Sequence, residues 1–479
     1  LVGKPIEFLF AELHLEATEL QLLRAAALSP WALKPVIALL SDAFPIFGYR
    51  KRPYVIMTTI GAVFGASMLG LRLTSSVEEI VFCLWLIFLN VSAVDVLVEA
   101  RQSEEVKLKK RVGPQFLTYT WVGINLGQIV SVVMIGPLIQ MFGPHVPYLV
   151  AAPFIVLVLW PTLANFLGER QLPVEERGQH MRVLLKHPVL CALTLAIGCL
   201  VLSLVVGTFL LPRKYILIVG GFYIVTILTA FTIFMRKEIS NPIVFFFLMA
   251  FCNLNIDGAL FYFYTDSAEK YPEGPHFSVF FYTSGLGLSM MLGYLTGFIT
   301  GEKLFCAWSY QAILVLTISL TAVLRLSLLP LILRSTPLVA DTVWACAVTY
   351  TSAVVNAWMW LPKQVMGAHL TPHGMEATTL GLIAGSFNLA NILSSYFGGF
   401  LLQLFNVEPS GRPGESAKFH NLWRVQVVAA LSPCIMFALI PILLPRKSQT
   451  DALLVERPDS ATHDSPYEKW QGPEIRGGY

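Results

Sequence analysis

Apolar stretches of about twenty residues recur along this chain, separated by short polar loops, and that pattern leaves few folds open. Each such stretch is long enough to cross a bilayer. In hydrocarbon a span must satisfy its own backbone hydrogen bonds, so the economical solution is a helix. A barrel would need alternating segments of about ten residues, which the sequence does not show. The composition agrees: 55% of residues are hydrophobic and 13% are charged, whereas ordinary globular chains carry about 25% charged residues. A net charge of +3 gives no basis for nucleic-acid binding. No C-x-x-C pair, zinc-ligand spacing or P-loop occurs, so neither a metal nor a cofactor is expected. Of the seven cysteines, Cys83, Cys191, Cys199, Cys252, Cys346 and Cys434 sit well inside apolar stretches and read as small hydrophobes; Cys306 lies nearer a span end.

About fourteen spans can be drawn. The first, 1–11, is too short to cross alone and reads as the end of a span that begins before this sequence. With the Arg50–Arg52 loop cytoplasmic, 21 of the 33 lysines and arginines fall on that side and 8 on the other. That bias places the C-terminus in the cytoplasm. Arg213 and Lys214 are the exceptions, since they fall on the opposite side. The expected organisation is an all-α membrane protein with the major facilitator layout of two six-helix bundles. The divisions are an N-terminal bundle over 1–167, a cytoplasmic loop over 168–186, an inserted helical hairpin over 187–239, a C-terminal bundle over 240–444 and a disordered cytoplasmic tail over 445–479. Thr18 with Gln21 fits a capping box at the start of the second span, and Pro242 suits the first turn of its helix. Glycines at 61 and 65, and at 293, 297 and 301, recur every fourth residue and read as close-packing seams.

A charge at the centre of a span costs roughly 2.5–3.5 kcal/mol on insertion scales and needs a reason. Asp95 and Glu99 lie one turn apart on one span with Ser92 on the same face, a candidate proton-coupling pair. The alternative is that Glu99 is interfacial and Asp95 pairs with Lys34. Lys34 lies about two turns from the cytoplasmic end of its own span, where it either snorkels or faces a cavity. Arg325 is expected to snorkel or brace packing, and Arg24 is ambiguous. Gln128, Asn356, Asn388 and Asn391 offer neutral polar groups, for a solute or for gluing helices together.

Pro30-Trp31, Lys34-Pro35, Ser41-Asp42, Pro45-Ile46, Gly48-Tyr49-Arg50 and Arg52-Pro53-Tyr54 together resemble the signature of the folate–biopterin transporter family. The similarity continues through VDVLVEARQSE (Val94–Glu104), ANFLGER (Ala164–Arg170), GALFYFYTD (Gly258–Asp266) and the segment from Gly374 to Asn391. Its style is similar to the protozoan branch, and it departs at Ala38, where the family usually has glycine. The resemblance implies a major facilitator carrier that moves folates or pterins together with protons. The stretch from Asp42 through Gly48 to Arg50-Lys51-Arg52 also resembles the gating loop of such carriers, with a longer aspartate-to-glycine spacing. The resemblance therefore puts Asp42, Arg50 and Arg52 in a gating role; a plain topology anchor is the alternative.

For a pterin, Asp257 is the leading substrate contact, because a carboxylate accepts two hydrogen bonds from the amide–amidine edge of the ring. On a continuous helix Asn253, Phe261 and Tyr264 share its face and add an amide and stacking rings; the aromatic run also fits an interfacial belt. Lys34 would balance the charge of a folate tail. Expected partners are the folate or pterin, protons and the bilayer, with the chain a plasma-membrane monomer. A same-fold carrier of another solute, such as S-adenosylmethionine, and a non-transporting sensor are the rivals. The nine histidines show no nucleophile–base arrangement, so an enzyme is not expected.

Overall fold

A computed structural model describes residues 1–108, 113–173, 188–305, 307–335, 339–369 and 376–448. Most of the loop over 168–186 and nearly all of the tail over 445–479 lie outside these residues. The helices are α1 (Pro5–Ala11), α2 (Ala17–Ala43), α3 (Arg52–Gly70), α4 (Val77–Leu108), α5 (Gly113–Phe142), α6 (Val146–Leu163), α7 (Pro188–Leu210) and α8 (Arg213–Phe234). They continue with α9 (Lys237–Thr265), α10 (Leu286–Phe305), α11 (Tyr310–Ile332), α12 (Asp341–His369), α13 (Glu376–Leu404) and α14 (Ser416–Ala438). Ten segments among the described residues are long and apolar enough to cross a membrane.

Helices α3, α4 and α6 pack together on one side, and α10, α11, α12 and α14 on the other. The two bundles meet along α2–α13 and α5–α10. The glycine seams are sites of close approach: a Cβ on Gly65 would press on the Cys83 backbone, and one on Gly297 would lie 2.7 Å from the Val354 carbonyl. The hairpin α7–α8 lies against α2, α9 and α13 and so touches both bundles. At its tip Arg213 lies 3.1 Å from Glu16, 3.4 Å from Glu408 and 3.5 Å from Glu19. These carboxylates balance the cation that stood out against the charge bias. They also tie the start of α2 to the segment after α13. Next to this tie the Ala17 amide donates to the Pro409 carbonyl (2.8 Å), and the Thr18 hydroxyl donates to the Gly399 carbonyl (3.1 Å).

Three local expectations change. Thr18 and Gln21 form no capping box; Glu16 is the N-cap residue, and both side chains bond across to other helices. Pro242 lies inside its helix, which starts earlier at Lys237. The second span, expected to be one continuous helix, is interrupted by a 3-10 turn at Ser29–Leu33. Pro30 and Pro35 are the cause, since each lacks the N–H that the ladder needs. Pro35 leaves the Trp31 carbonyl without its helical donor, and the Asn388 amide supplies one at 2.9 Å. Ser92 donates to the Pro30 carbonyl at 2.8 Å.

Candidate functional site

The second interrupted helix builds the site. Helix α9 stops at Cys252 and restarts at Asp257. Four successive carbonyls in the gap, which lipid would leave unsatisfied, each accept a side chain from a neighbouring helix. Ser432 donates to Cys252 (2.6 Å), Ser394 to Asn253 (2.7 Å), Arg325 to Leu254 (3.1 Å) and Gln21 to Asn255 (2.7 Å). Gln21 also donates to the Ser395 carbonyl (2.6 Å), and its oxygen accepts from the Gly258 amide in the restarted helix (3.1 Å). A polar residue in a span is thus explained helix by helix as the partner of a broken backbone. Arg325 neither snorkels nor merely packs: it bonds the Leu254 and Ala429 carbonyls and lines the cavity below.

That cavity measures about 540 Å³ and lies among α2, α9, α11 and α13. This is within the usual size of small-molecule sites, roughly 300–1,000 Å³. Asp257 stands at its wall, half-exposed, at the first position of the restarted helix, where the helix dipole favours an anion. Its carboxylate accepts from Asn255 at 3.1 Å and faces Arg24 at 3.4 Å. Arg24 also pairs with Glu7 at 3.1 Å, and Glu7 accepts from the Tyr282 hydroxyl at 3.1 Å. Glu7, from the short α1, is buried; it was not singled out in the sequence, since nothing local to 1–11 shows that Arg24 and Tyr282 meet it. Trp31, Asn253, Asn388 and Asn391 complete the polar and aromatic lining. The Asn253 side-chain oxygen is buried and has no hydrogen-bond partner among the described residues. The site therefore offers one carboxylate, two guanidinium groups, several amides and an indole ring.

Phe261 and Tyr264 do not line this cavity. The face they were expected to share with Asn253 assumed a continuous helix, and the gap at 253–256 resets the helical phase. Phe261 is fully buried against Phe8 and Tyr282, and Tyr264 stacks on Phe277 with centroids 5.3 Å apart. Gln128 is exposed on α5 and Asn356 half-buried on α12, both outside the lining.

Lys34 and Asp95 form a close ion pair between α2 and α4, with Glu99 3.8 Å from the same ammonium. The ammonium also lies 4.9 Å above the Trp31 ring, so this cluster is one helical turn from the cavity wall.

At the Arg50–Arg52 end, Asp42 lies 3.7 Å from Arg50. Glu169, from the ANFLGER segment, accepts the backbone amides of Arg50 (2.6 Å), Lys51 (2.9 Å) and Arg52 (3.0 Å) at the start of α3. A carboxylate at a helix N-terminus is matched to the dipole and to the unpaired amides there. Arg52 donates to the Leu163 carbonyl (2.8 Å), and Arg101 to Leu167 (2.7 Å). Charge-assisted hydrogen bonds contribute about 1.5–3 kcal/mol each. Glu169→Ala is therefore expected to lower the melting temperature of the purified protein relative to the wild type, as read by a thermal-shift assay.

The family model for the BT1 family matches residues 4–461. The chain belongs to the BT1 family. BT1 relatives include the "Probable folate-biopterin transporter 2" of Arabidopsis thaliana, 23% identical over 89% of this chain and 76% of its own length. The "Folate-biopterin transporter" of Synechocystis is 22% identical over 91% and 76%. The "Folate transporter 1" of Plasmodium falciparum is 20% identical over 91% and 74%. Among solved structures, a POT family transporter in complex with 5-aminolevulinic acid superposes with a TM-score of 0.63, at 16% identity, over 92% of this chain and 93% of that one. The nucleoside transporter NupG gives 0.59, at 12% identity, over 91% and 95%. These likenesses give this BT1 chain the major facilitator fold. It is a multi-pass integral membrane transporter and not an enzyme.

Proposed function

We propose that this BT1 protein carries folate, biopterin or a related pteridine by proton-coupled alternating access. The observation that carries the reading is the half-exposed Asp257 in a polar cavity between the two bundles, beside the Trp31 indole. The carboxylate matches the donor edge of a pterin, the indole its flat face, and Arg24, Arg325 and the Asn253 oxygen its remaining edges. The names of the relatives point the same way. Two guanidinium groups on the same walls disfavour a cationic solute such as S-adenosylmethionine. In this reading Asp95 takes the proton and thereby releases Lys34, with Glu99 alongside. Asp42, Arg50 and Arg52 belong to the loop that α3 carries past the other helices during the cycle. The lysine and arginine bias supports a cytoplasmic C-terminus, and the reading takes the carrier as a plasma-membrane monomer.

The test is uptake of radiolabelled folate and of biopterin, separately, by cells expressing the full-length protein, at external pH 5.5 and 7.5. Saturable uptake that is faster at pH 5.5 is expected, and Asp95→Asn should flatten that pH dependence. Absence of uptake of both, with the protein at the surface, would sink the substrate assignment.

A further inference from the structure

We infer that the hairpin α7–α8 takes part in the transport cycle: Arg213 at its tip latches the two bundles together on the face opposite the Arg50–Arg52 loop, and the latch must break for that face to open. The inference deepens the alternating-access reading and rests on it.

On that face the start of α2 meets α9 and α13 at backbone distance. The Ala17 amide and the Thr18 hydroxyl donate to the carbonyls of Pro409 and Gly399. The Tyr262 hydroxyl donates to the Leu15 carbonyl (2.6 Å), and a Cβ on Gly258 would lie 2.2 Å from the Ala17 carbonyl oxygen. The hairpin reaches this seam from the side of the C-terminal bundle. Near its tip the Thr208 and Tyr396 hydroxyls are hydrogen-bonded, and a Cβ on Gly220 would lie 3.3 Å from Leu393 and Phe397. Through Met235 and Arg236 the hairpin runs directly into α9. Towards the other face α7 touches α2 through Gly198 and Val36. The three partners of Arg213 thus divide by bundle. Glu408 follows α13, so its pair with Arg213 stays on the C-terminal side and orients the guanidinium. Glu16 and Glu19 open α2, so their pairs with Arg213 cross the seam.

The strength of these pairs suits a contact that is made and broken. The four side chains are 22–43% exposed, and an ion pair at such exposure shifts an equilibrium by about 1.4- to 5-fold. Two pairs across the seam therefore shift it by about 2- to 30-fold together. That is too little to hold the fold and enough to set how often one face opens. Without the guanidinium, three carboxylates gathered at the seam would repel one another, and opening would separate Glu16 and Glu19 from Glu408.

The test is the rate at which a membrane-impermeant maleimide, added outside intact cells, labels a reporter in the cavity. The reporter is Asn391→Cys, an exposed position of the lining, in the full-length protein, with the same chain lacking Asn391→Cys as the blank and labelling normalised to surface protein. Arg213→Gln is expected to speed labelling about 2- to 30-fold, and Arg213→Lys, which keeps the charge, to stay within about twofold of the unchanged latch. Glu16→Gln/Glu19→Gln removes the same pairs from the other bundle and should match Arg213→Gln, so the result does not hang on one variant reaching the surface. Exposed pairs are also screened by salt. Moving cells from isotonic sucrose with about 10 mM salt to saline of about 150 mM should speed labelling when Arg213 is present and not in Arg213→Gln. Labelling that is unchanged or slower in the neutral variants overturns the latch and leaves the carrier reading intact. Faster labelling without uptake of folate or biopterin supports the latch and sinks the substrate assignment alone. A reporter that is never labelled in any variant overturns the latch together with alternating access.

Discussion

Gly398→Ala is expected to reduce uptake about tenfold or more per molecule at the cell surface and to lower the melting temperature. A single added methyl on α13 would collide with the Asn255 carbonyl and stand 2.7 Å from its carbon. The obstacle is backbone, so no side-chain rotation relieves it. Overpacking of this kind costs about 1–3 kcal/mol and displaces what it touches. Here that is the gap in α9, whose carbonyls are held by Gln21, Ser394, Arg325 and Ser432, and the displaced segment carries Asp257. Gly221→Ala in α8 is the control: its new methyl meets open space, and a helix-interior alanine is favoured over glycine by about 0.5–1 kcal/mol. Thermal shift and uptake, measured for both, decide the matter. A Gly398→Ala protein with wild-type melting and uptake would contradict the packing described.

Arg24→Met is expected to destabilise the protein strongly, and Glu7→Gln/Arg24→Met to recover most of the stability without the uptake. Glu7 is buried, with Arg24 and the Tyr282 hydroxyl as its partners. Removing the guanidinium strands a carboxylate, at a cost of about 3–5 kcal/mol for a broken buried pair. Neutralising Glu7 in the same chain removes that penalty, so the two substitutions should be far from additive. Uptake should stay low in the double variant, because Asp257 has lost the cation that faces it at 3.4 Å. Denaturation midpoints in detergent give the first effect and uptake the second. If the double variant transports at the wild-type rate, Arg24 is a structural cation only.

Much of the framework was legible in the residues. Span-length apolar stretches need no tertiary information, since each helix in lipid satisfies its own backbone. Asp257 was singled out as a charge in a span, Asn253 as its neighbour one turn away, and Asn388 as an amide for a solute or for gluing helices; all three line the cavity. Lys34, Asp95 and Glu99 were singled out as charges in spans and lie together beside it. Phe261 and Tyr264 were placed by helical periodicity, which holds only while the helix is unbroken. The four-residue gap in α9 has no proline and no glycine to announce it. It exists because Gln21, Arg325, Ser394 and Ser432 converge on its carbonyls from four other helices.

By itself the sequence determined the class, the apolar stretches and the charge bias, because each is a local property of composition; Pro30 and Pro35 stood in it too, but their break in the helix was not read there. Only the tertiary structure decided which polar side chains are spent on broken backbone and which remain for a solute. Asn388 and Gln21 belong to the first group, and Asp257 stands apart from it. That division depends on partners hundreds of residues away, and no local pattern in the chain encodes the distance between them.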